Sequence, residues 1–179
     1  MLAMAILCLS GCGYTGFYIV MGMGNAMKAV GIGETTYVLA KWCPDNVWIK
    51  QSDIQAGTPV SGNLVLGIVD RTGFTPSGRD YARLFVAVPQ GIQLVGGNWM
   101  PVEALPEESF INVPKLEGVS YFEWGEKIKA SSVRIGEEFG RIPITYRVTR
   151  SDADTESIWV YMALMRGNKT FSGNATQLK

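Results

Sequence analysis

The stretch IPITYRVTR, residues 142–150, alternates apolar and polar side chains with a period of two residues. The apolar set on one face is Ile142, Ile144, Tyr146 and Val148, and the opposite face carries Pro143, Thr145, Arg147 and Thr149. Such alternation is typical of an antiparallel strand with one face in a core and the other in water. Because proline has no N–H to donate, Pro143 places the beginning of this strand near a sheet edge or a bulge.

The same kind of pattern recurs along the chain from residue 35 onward. Short apolar or alternating runs are separated by clusters of Gly, Pro, Asn and Asp, which favour turns. The predicted strands are 35–42, 47–51, 63–69, 81–88, 92–96, 109–113, 119–124, 129–135, 141–150 and 157–165. Many short strands with turn signals between them predict one all-β domain, an antiparallel β-sandwich over residues 34–179.

The predicted strand 157–165 differs from the others because both of its faces are apolar. One face carries Ile158, Val160, Met162 and Leu164, and the other carries Trp159, Tyr161, Ala163 and Met165. Such a strand lies centrally in its sheet, or its second face is covered by the N-terminal segment or by a partner.

Residues 83–97, RLFVAVPQGIQLVGG, resemble a recurring piece of bacterial immunoglobulin-like surface domains, in which a strand ends in Pro-x-Gly and an apolar strand follows. The strand at 141–150 fits the same scheme. The resemblance implies an immunoglobulin-like fold, and it concerns the fold rather than an activity.

The N-terminal residues carry no charge before Lys28. Strong apolarity is confined to residues 1–9, a length typical of the apolar region of a signal peptide and short for a membrane-spanning helix. The motif that follows, Leu9-Ser10-Gly11-Cys12, resembles the lipobox of bacterial lipoproteins. The resemblance implies cleavage after Gly11, a diacylglycerol on the Cys12 thiol, and acylation of the new amino terminus. The alternatives are an uncleaved membrane helix and a core element.

These motifs imply a division of the chain and a compartment. Residues 1–11 are expected to be a signal peptide, 12–33 a lipidated, apolar, Gly-rich lead segment, and 34–179 the sandwich domain. By resemblance to enterobacterial sorting, Gly13 in place of Asp after the cysteine implies the outer membrane. The protein would then be held to the membrane by its lipid, because two acyl-bearing attachments anchor stably where one chain binds marginally.

The composition excludes several kinds of site. The 179 residues contain no histidine, so neither a Ser-His-Asp triad nor a His-ligated zinc or haem can form. The three cysteines make no CxxC pair. Sixteen basic residues balance sixteen acidic ones, which argues against a nucleic acid partner. The sequence therefore predicts no metal, no cofactor and no catalytic residue.

Two residue types remain as candidates. The acidic candidates are Glu103, Glu107 and Glu108 in a Pro-bounded loop, and Glu123 and Glu126, which flank Trp124-Gly125. They would suit glycoside hydrolysis only if two faced each other across a cleft. The tryptophans near strand ends are Trp42, Trp48, Trp99 and Trp124, and they could stack on sugars or anchor a protein partner. Solvated loops and sandwich-end packing are the plainer interpretations of the two sets.

The sequence thus favours a non-catalytic binding or assembly role in a cell-envelope complex, with recognition of a protein partner at a sheet edge or an apolar face. A surface glycan-binding module that uses the tryptophans is the alternative. A hydrolase that uses paired carboxylates comes third.

Overall fold

The computed structural model describes residues 37–45, 51–69, 75–106, 116–130, 137–153 and 158–178. The strands in this part of the chain are β1 (Tyr37–Pro44), β2 (Val60–Val69), β3 (Asp80–Pro89), β4 (Ile92–Gly96), β5 (Trp99–Val102), β6 (Val119–Trp124), β7 (Ile128–Lys129), β8 (Glu138–Val148), β9 (Trp159–Arg166) and β10 (Lys169–Gln177). One short helix, α1 (Gln51–Gln55), lies between β1 and β2.

The strands pair into two antiparallel sheets. The first sheet has the order β1-β2-β8-β4, and the second has the order β10-β9-β3-β6-β5. The short strand β7 pairs with the beginning of β3, beyond the end of β6. In both sheets the central pairs, β2 with β8 and β3 with β9, join segments that are far apart in the chain. The chain is therefore an all-β antiparallel sandwich, as the sequence predicts.

The main core lies between the two sheets. Ile142, Ile144, Tyr146 and Val148 of β8 are all buried there, whereas Pro143 and Arg147 are exposed. The first sheet adds Leu64, Leu66 and Ile68 of β2 to this core, and the opposing buried residues of the second sheet include Leu84, Val86, Val160, Met162 and Leu164. Full burial of such a side chain contributes about 1.5–3 kcal/mol, so this alternating strand supplies a large part of the core energy.

Pro143 lies at an interrupted position in the first sheet. The pairing of β4 with β8 ends opposite Thr145, after an irregularity between Leu94 and Gly96. Pro143 is therefore beyond the end of the β4 ladder, although β8 is an inner strand. A residue without an N–H is tolerated at such a place.

The second sheet is buried on both faces around β9. This strand lies between β10 and β3, so it is central. Its inward residues join the main core, and its outward residues belong to a second buried cluster. The buried members of that cluster are Phe85, Ala87, Leu105, Tyr161, Ala163 and Met165. The central position predicted from the two apolar faces of this strand is therefore confirmed.

An ion pair joins the ends of the two central strands of the second sheet. Nε and Nη2 of Arg166 donate to the two carboxylate oxygens of Asp80 over 2.8 and 3.0 Å. The backbone N–H and hydroxyl of Ser77 donate to the same carboxylate over 2.7 and 3.1 Å. The hydrogen bond from Arg166 lowers the pKa of Asp80 against the opposing effect of burial, and Ser77 lowers it further.

The predicted strands agree with the described ones at several places and differ at others. Strands 92–96 and 119–124 have the predicted limits, whereas β5 and β10 were not predicted. Predicted strand 109–113 and most of 47–51 and 129–135 lie outside the described residues, and Gln51 begins α1. Residues 1–36, which include Cys12 and the predicted signal and lead segments, also lie outside them.

Within the described ranges, no helix combines the length and the apolar character needed to cross a bilayer.

Candidate functional site

The outward face of β3 is polar at one end. Because successive side chains of a strand point to opposite faces, Tyr81 and Arg83 point away from the main core, which takes Ala82 and Leu84. Phe85 continues the same outward face into the second buried cluster. The outward face therefore changes along one strand, from an enclosed apolar part to a partly exposed polar part.

Two neighbouring strands extend this polar part. Glu123 of β6 lies opposite Phe85 of β3, and Met100 of β5 lies opposite Glu123. Together these strands and the segment after β6 line a cleft of about 330 Å³. We call it the sheet-face cleft, and its lining residues are Tyr81, Arg83, Met100, Glu123, Trp124, Gly125, Glu126 and Lys127.

An ion pair lies in the wall of the sheet-face cleft. Nε of Arg83 donates to Oε1 of Glu123 over 2.7 Å, and Nη2 donates to Oε2 over 2.9 Å. Such a bidentate pair fixes both side chains in one plane. The guanidinium carbon also lies 4.9 Å from the ring centroid of Phe85. The pair is therefore held in a defined position, while 29% of the Arg83 side chain and 21% of the Glu123 side chain stay exposed.

Lys127 lies at one side of the sheet-face cleft, with its ammonium group above an aromatic ring. Its Nζ lies 4.7 Å from the ring centroid of Tyr81, which is a cation–π contact. Lys127 itself is exposed, and so are Glu126 and Met100. The cleft thus opens to solvent beside one cation, one anion and one apolar side chain.

The β4–β5 corner, Gly97–Trp99, connects the two sheets and supports the cleft. Gly97 has a φ of 98°, a value that favours glycine. The carbonyl of Asn98 accepts from the N–H of Gly125 over 2.8 Å, which ties the corner to the segment after β6. The ring of Trp99 packs edge-on against that of Trp124 with centroids 5.3 Å apart.

Two of the five acidic residues considered from the sequence meet in the sheet-face cleft. Glu123 and Glu126 both line it, while Glu103 is exposed outside its lining. Glu107 and Glu108 lie outside the described residues. Both oxygens of Glu123 accept from Arg83, so neither is directed at a bound molecule.

The structure places the candidate tryptophans differently from one another. Trp124 is among the lining residues of the cleft, but its side chain and that of Trp99 pack against the main core. Nε1 of Trp99 donates to the carbonyl of Pro143 over 3.2 Å. Trp42 lies in β1, and Trp48 lies outside the described residues. A binding role of these four tryptophans stays a prediction, and the packing of Trp99 and Trp124 on the main core agrees with the plainer interpretation, sandwich-end packing.

Four lining residues were not singled out from the sequence. Tyr81, Arg83, Met100 and Lys127 come from three separate places in the chain. One signal was available, since Arg83 is an isolated cation inside the apolar run of β3. A charge in such a run marks a place where the strand face reaches water or a partner.

In the part of the chain that the structure describes, no group of three or more Cys, Asp and Glu side chains comes together as a metal site would require.

The fold and the cleft define the chain as an all-β sandwich with a sheet-face site. Comparison with protein-family models and with curated proteins gives no match. Among solved structures, the chain is similar to the carbohydrate-binding module CBM3b of the cellulosomal cellobiohydrolase 9A from Clostridium thermocellum. The two share 11% identity over 77% of this chain and 98% of that chain, with a TM-score of 0.32.

Two cohesins are also similar to the chain. The third ScaC cohesin of Acetivibrio cellulolyticus, solved in complex with the ScaB dockerin, shares 14% identity over 68% of this chain and 90% of that chain, with a TM-score of 0.29. The seventh ScaB type I cohesin of Pseudobacteroides cellulosolvens shares 15% identity over 80% of this chain and 91% of that chain, with a TM-score of 0.31. Likenesses of this size define neither a family nor a ligand.

Proposed function

We propose that this chain is a non-catalytic binding module of the bacterial cell envelope, anchored by lipid on Cys12, which holds its ligand in the sheet-face cleft. The observation that carries the binding role is the cleft itself. Paired strands present a fixed ion pair, an aromatic ring and an exposed apolar side chain at one opening. A site built on paired strands is preorganised, so little ordering of the protein opposes binding.

The residue types in the cleft are those of recognition surfaces. Tyr, Met and Arg are enriched at binding interfaces, and Tyr81, Arg83 and Met100 all line the cleft. Met100 is 49% exposed, the largest exposed fraction among the large apolar side chains of the described residues. An apolar side chain so exposed gains most when a ligand covers it.

The same geometry argues against hydrolysis. A glycosidase needs two carboxylates that face the scissile bond, one as acid and the other as base or nucleophile. Glu123 has both oxygens on Arg83, so only Glu126 of the two lining acids is directed elsewhere. This arrangement supports the proposal that the cleft holds a molecule rather than cleaves one.

The anchoring part of the proposal rests on Leu9-Ser10-Gly11-Cys12. Intact-mass spectrometry of the membrane-extracted protein is expected to give the mass of residues 12–179 plus acyl groups. The Cys12→Ser variant is expected to lack the acyl mass. A wild-type mass that retains residues 1–11 contradicts lipid anchoring and supports an uncleaved membrane helix.

The binding part is tested by co-sedimentation with envelope fragments that have been washed in detergent, so that no bilayer remains to capture the lipid. The mature protein is expected to sediment with these fragments. Met100→Asp places an unpaired charge in the cleft, and we expect it to reduce the apparent affinity about tenfold or more.

Val95→Asp is the matched control for this experiment. Val95 is 41% exposed, close to the 49% of Met100, but it lies on β4 and outside the lining of the cleft. The control variant is expected to sediment like the wild type. The proposal fails if Met100→Asp and Val95→Asp sediment equally well, or if the wild type does not sediment at all.

A further inference from the structure

We infer that the ligand of the sheet-face cleft is a neutral oligosaccharide. The inference rests on the proposed function, because it names the ligand of the same cleft. Four features support it. They are the balanced charges of the lining, its free hydrogen-bonding groups, its apolar contact surface, and a neighbouring strand edge that a peptide cannot extend.

The charges that line the cleft cancel. Arg83 and Lys127 oppose Glu123 and Glu126. An anionic ligand would therefore meet two carboxylates, and a cationic ligand would meet an ammonium and a guanidinium. Because juxtaposed like charges cost binding energy, this lining selects for a ligand without formal charge.

The cleft nevertheless offers hydrogen bonds of both kinds. Within the described ranges, Nη1 of Arg83, Nζ of Lys127 and the hydroxyl of Tyr81 have no hydrogen-bond partner. Glu126 accepts only a 3.5 Å contact from the side-chain amide of Asn98. A ligand that fills the cleft must therefore both accept and donate. Sugar hydroxyls do both, since each has one donor hydrogen and two acceptor lone pairs.

The apolar part of the lining suits the C–H faces of a sugar ring. Met100 is exposed in the cleft, and Tyr81, whose ring contacts Lys127, also lines it. Methionine and aromatic side chains adapt well to such surfaces. The volume of about 330 Å³ is at the lower end of the usual range for small-molecule sites, which fits a short stretch of oligosaccharide.

The nearest strand edge does not suit an extended peptide. Peptides commonly add to a sheet through main-chain hydrogen bonds with an edge strand. The edge strand beside the cleft is β5, which has only four residues and includes Pro101. Because Pro101 has no N–H, it interrupts any ladder that a peptide could form there.

The test is isothermal titration calorimetry of the mature, full-length protein in a detergent without a sugar head group. The probes are three neutral hexasaccharides, cellohexaose, maltohexaose and chitohexaose, with hexagalacturonate as the anionic comparison. We expect saturable binding of at least one neutral probe with a Kd below about 1 mM, and weaker binding of the anionic probe.

Matched variants locate the binding in the cleft. Lys127→Ala and Glu126→Ala each remove a hydrogen-bonding group, and each is expected to weaken binding about tenfold. Lys129→Ala and Glu103→Ala remove exposed groups of the same types from outside the lining, and both are expected to bind like the wild type.

The outcomes separate this inference from the function on which it rests. The absence of saturable binding to all three neutral probes, or tighter binding of the anionic one, overturns the oligosaccharide. If sedimentation with envelope fragments then still depends on Met100 and is lost after protease digestion of the fragments, the ligand is a protein and the binding module stands. If that sedimentation also fails, the proposed function fails with it.

Discussion

At the scale of single residues, Asp80 is a charged side chain that the fold buries, with 3% exposure. Its carboxylate accepts from Arg166 and Ser77, so its charge is compensated within the fold. Because these bonds hold the pKa of Asp80 below 3.8 in the folded state, its stabilising contribution is full above that value. The contribution is lost as the pH falls through the folded-state pKa.

Replacing Asp80 with Asn should therefore destabilise the protein at neutral pH. We expect the free energy of unfolding in urea to fall by about 2 kcal/mol, because Arg166 loses its carboxylate partner and the new amide cannot accept from all four groups that donate to Asp80. The variant should also lose less stability than the wild type on acidification below pH 3.8. Asp152→Asn is the control. It should leave the midpoint of urea unfolding unchanged, because the ion pair of Asp152 with Arg150 is exposed. Equal effects of the two substitutions would contradict the assignment.

Tyr161 makes stability depend on pH in the opposite direction, so that stability is lost at alkaline pH. Burial raises its pKa from 10.0 to about 12, and the nearby Tyr121 adds to the shift. A raised pKa means that the contribution is full below pH 10 and is lost as the pH rises towards the folded-state value. We expect the wild type to lose stability above pH 10, and Tyr161→Phe to flatten that loss in part, because burial also raises the pKa of Tyr146. Parallel alkaline slopes in urea unfolding would exclude this role.

At the scale of elements, the β4–β5 corner connects the two sheets and also supports the sheet-face cleft. A Cβ on Gly97 would lie 2.7 Å from the ring of Trp99, and the φ of 98° is itself unfavourable for other residues. Any side chain at Gly97 therefore displaces Trp99, which packs on Trp124 in the cleft lining. The corner thus couples the connection between the sheets to the shape of the cleft.

Gly97→Ala should consequently destabilise the protein more than a glycine substitution that meets only backbone strain. Gly167 supplies that comparison, since its φ is 60° and a Cβ there would have no atom within 4 Å. We expect Gly167→Ala to cost about 1 kcal/mol and Gly97→Ala about 1–2 kcal/mol more. Near-ultraviolet circular dichroism should change only for Gly97→Ala, since the pair of tryptophan rings is disturbed only there. An unchanged spectrum for Gly97→Ala would show that the corner does not fix Trp99.

The elements also show what sequence patterns can and cannot predict. The alternation at 142–150 was sufficient to predict β8, because one face is buried and the other is exposed. β10 was missed because Ser172, Gly173 and Asn174 have low strand propensity. The segment forms a strand in the structure because it pairs with β9. β5 was missed because its four residues include Pro101 and directly follow a turn.

The site was predicted less completely than the fold, for a related reason. Glu123, Trp124 and Glu126 were candidates because they stand together in the sequence. Arg83 was not, because its bond to Glu123 joins residues 40 positions apart. Long-range pairing of this kind depends on strand order, and alternation within one strand carries no information about strand order.

At the scale of the whole molecule, burial is distributed unevenly over the strands. β3 and β9 have neighbours on both sides and buried residues on both faces, while β4 and β5 are edge strands. Local opening needs fewer broken contacts at an edge than in the middle of a sheet. The centre of the second sheet should therefore be the most stable part of the described structure.

Amide hydrogen exchange, measured residue by residue, is expected to be slower in the central strands of the second sheet than in the edge strands. The amides of β3 and β9 should exchange slowest, through global unfolding, and those of β4 and β5 should exchange through local opening. Asp80→Asn should accelerate β3 and β9 together, since it weakens the ion pair that joins them. Amides in β5 that are as slow as those in β9 would contradict the assignment of the stable centre.

The central pairs of both sheets also determine when this protein can fold during its synthesis. β2 pairs with β8, and β3 pairs with β9, so contacts such as those of Ser61 with Thr145 and of Asp80 with Arg166 join positions 84 and 86 residues apart. The central strand pair of neither sheet can form until the last third of the chain, which contains β8 and β9, has left the ribosome. The earlier strands remain without their partner strands until then. Contacts between such distant segments also form slowly. A chain built in this way is expected to lack the central pair of each sheet until β8 and β9 have been synthesised.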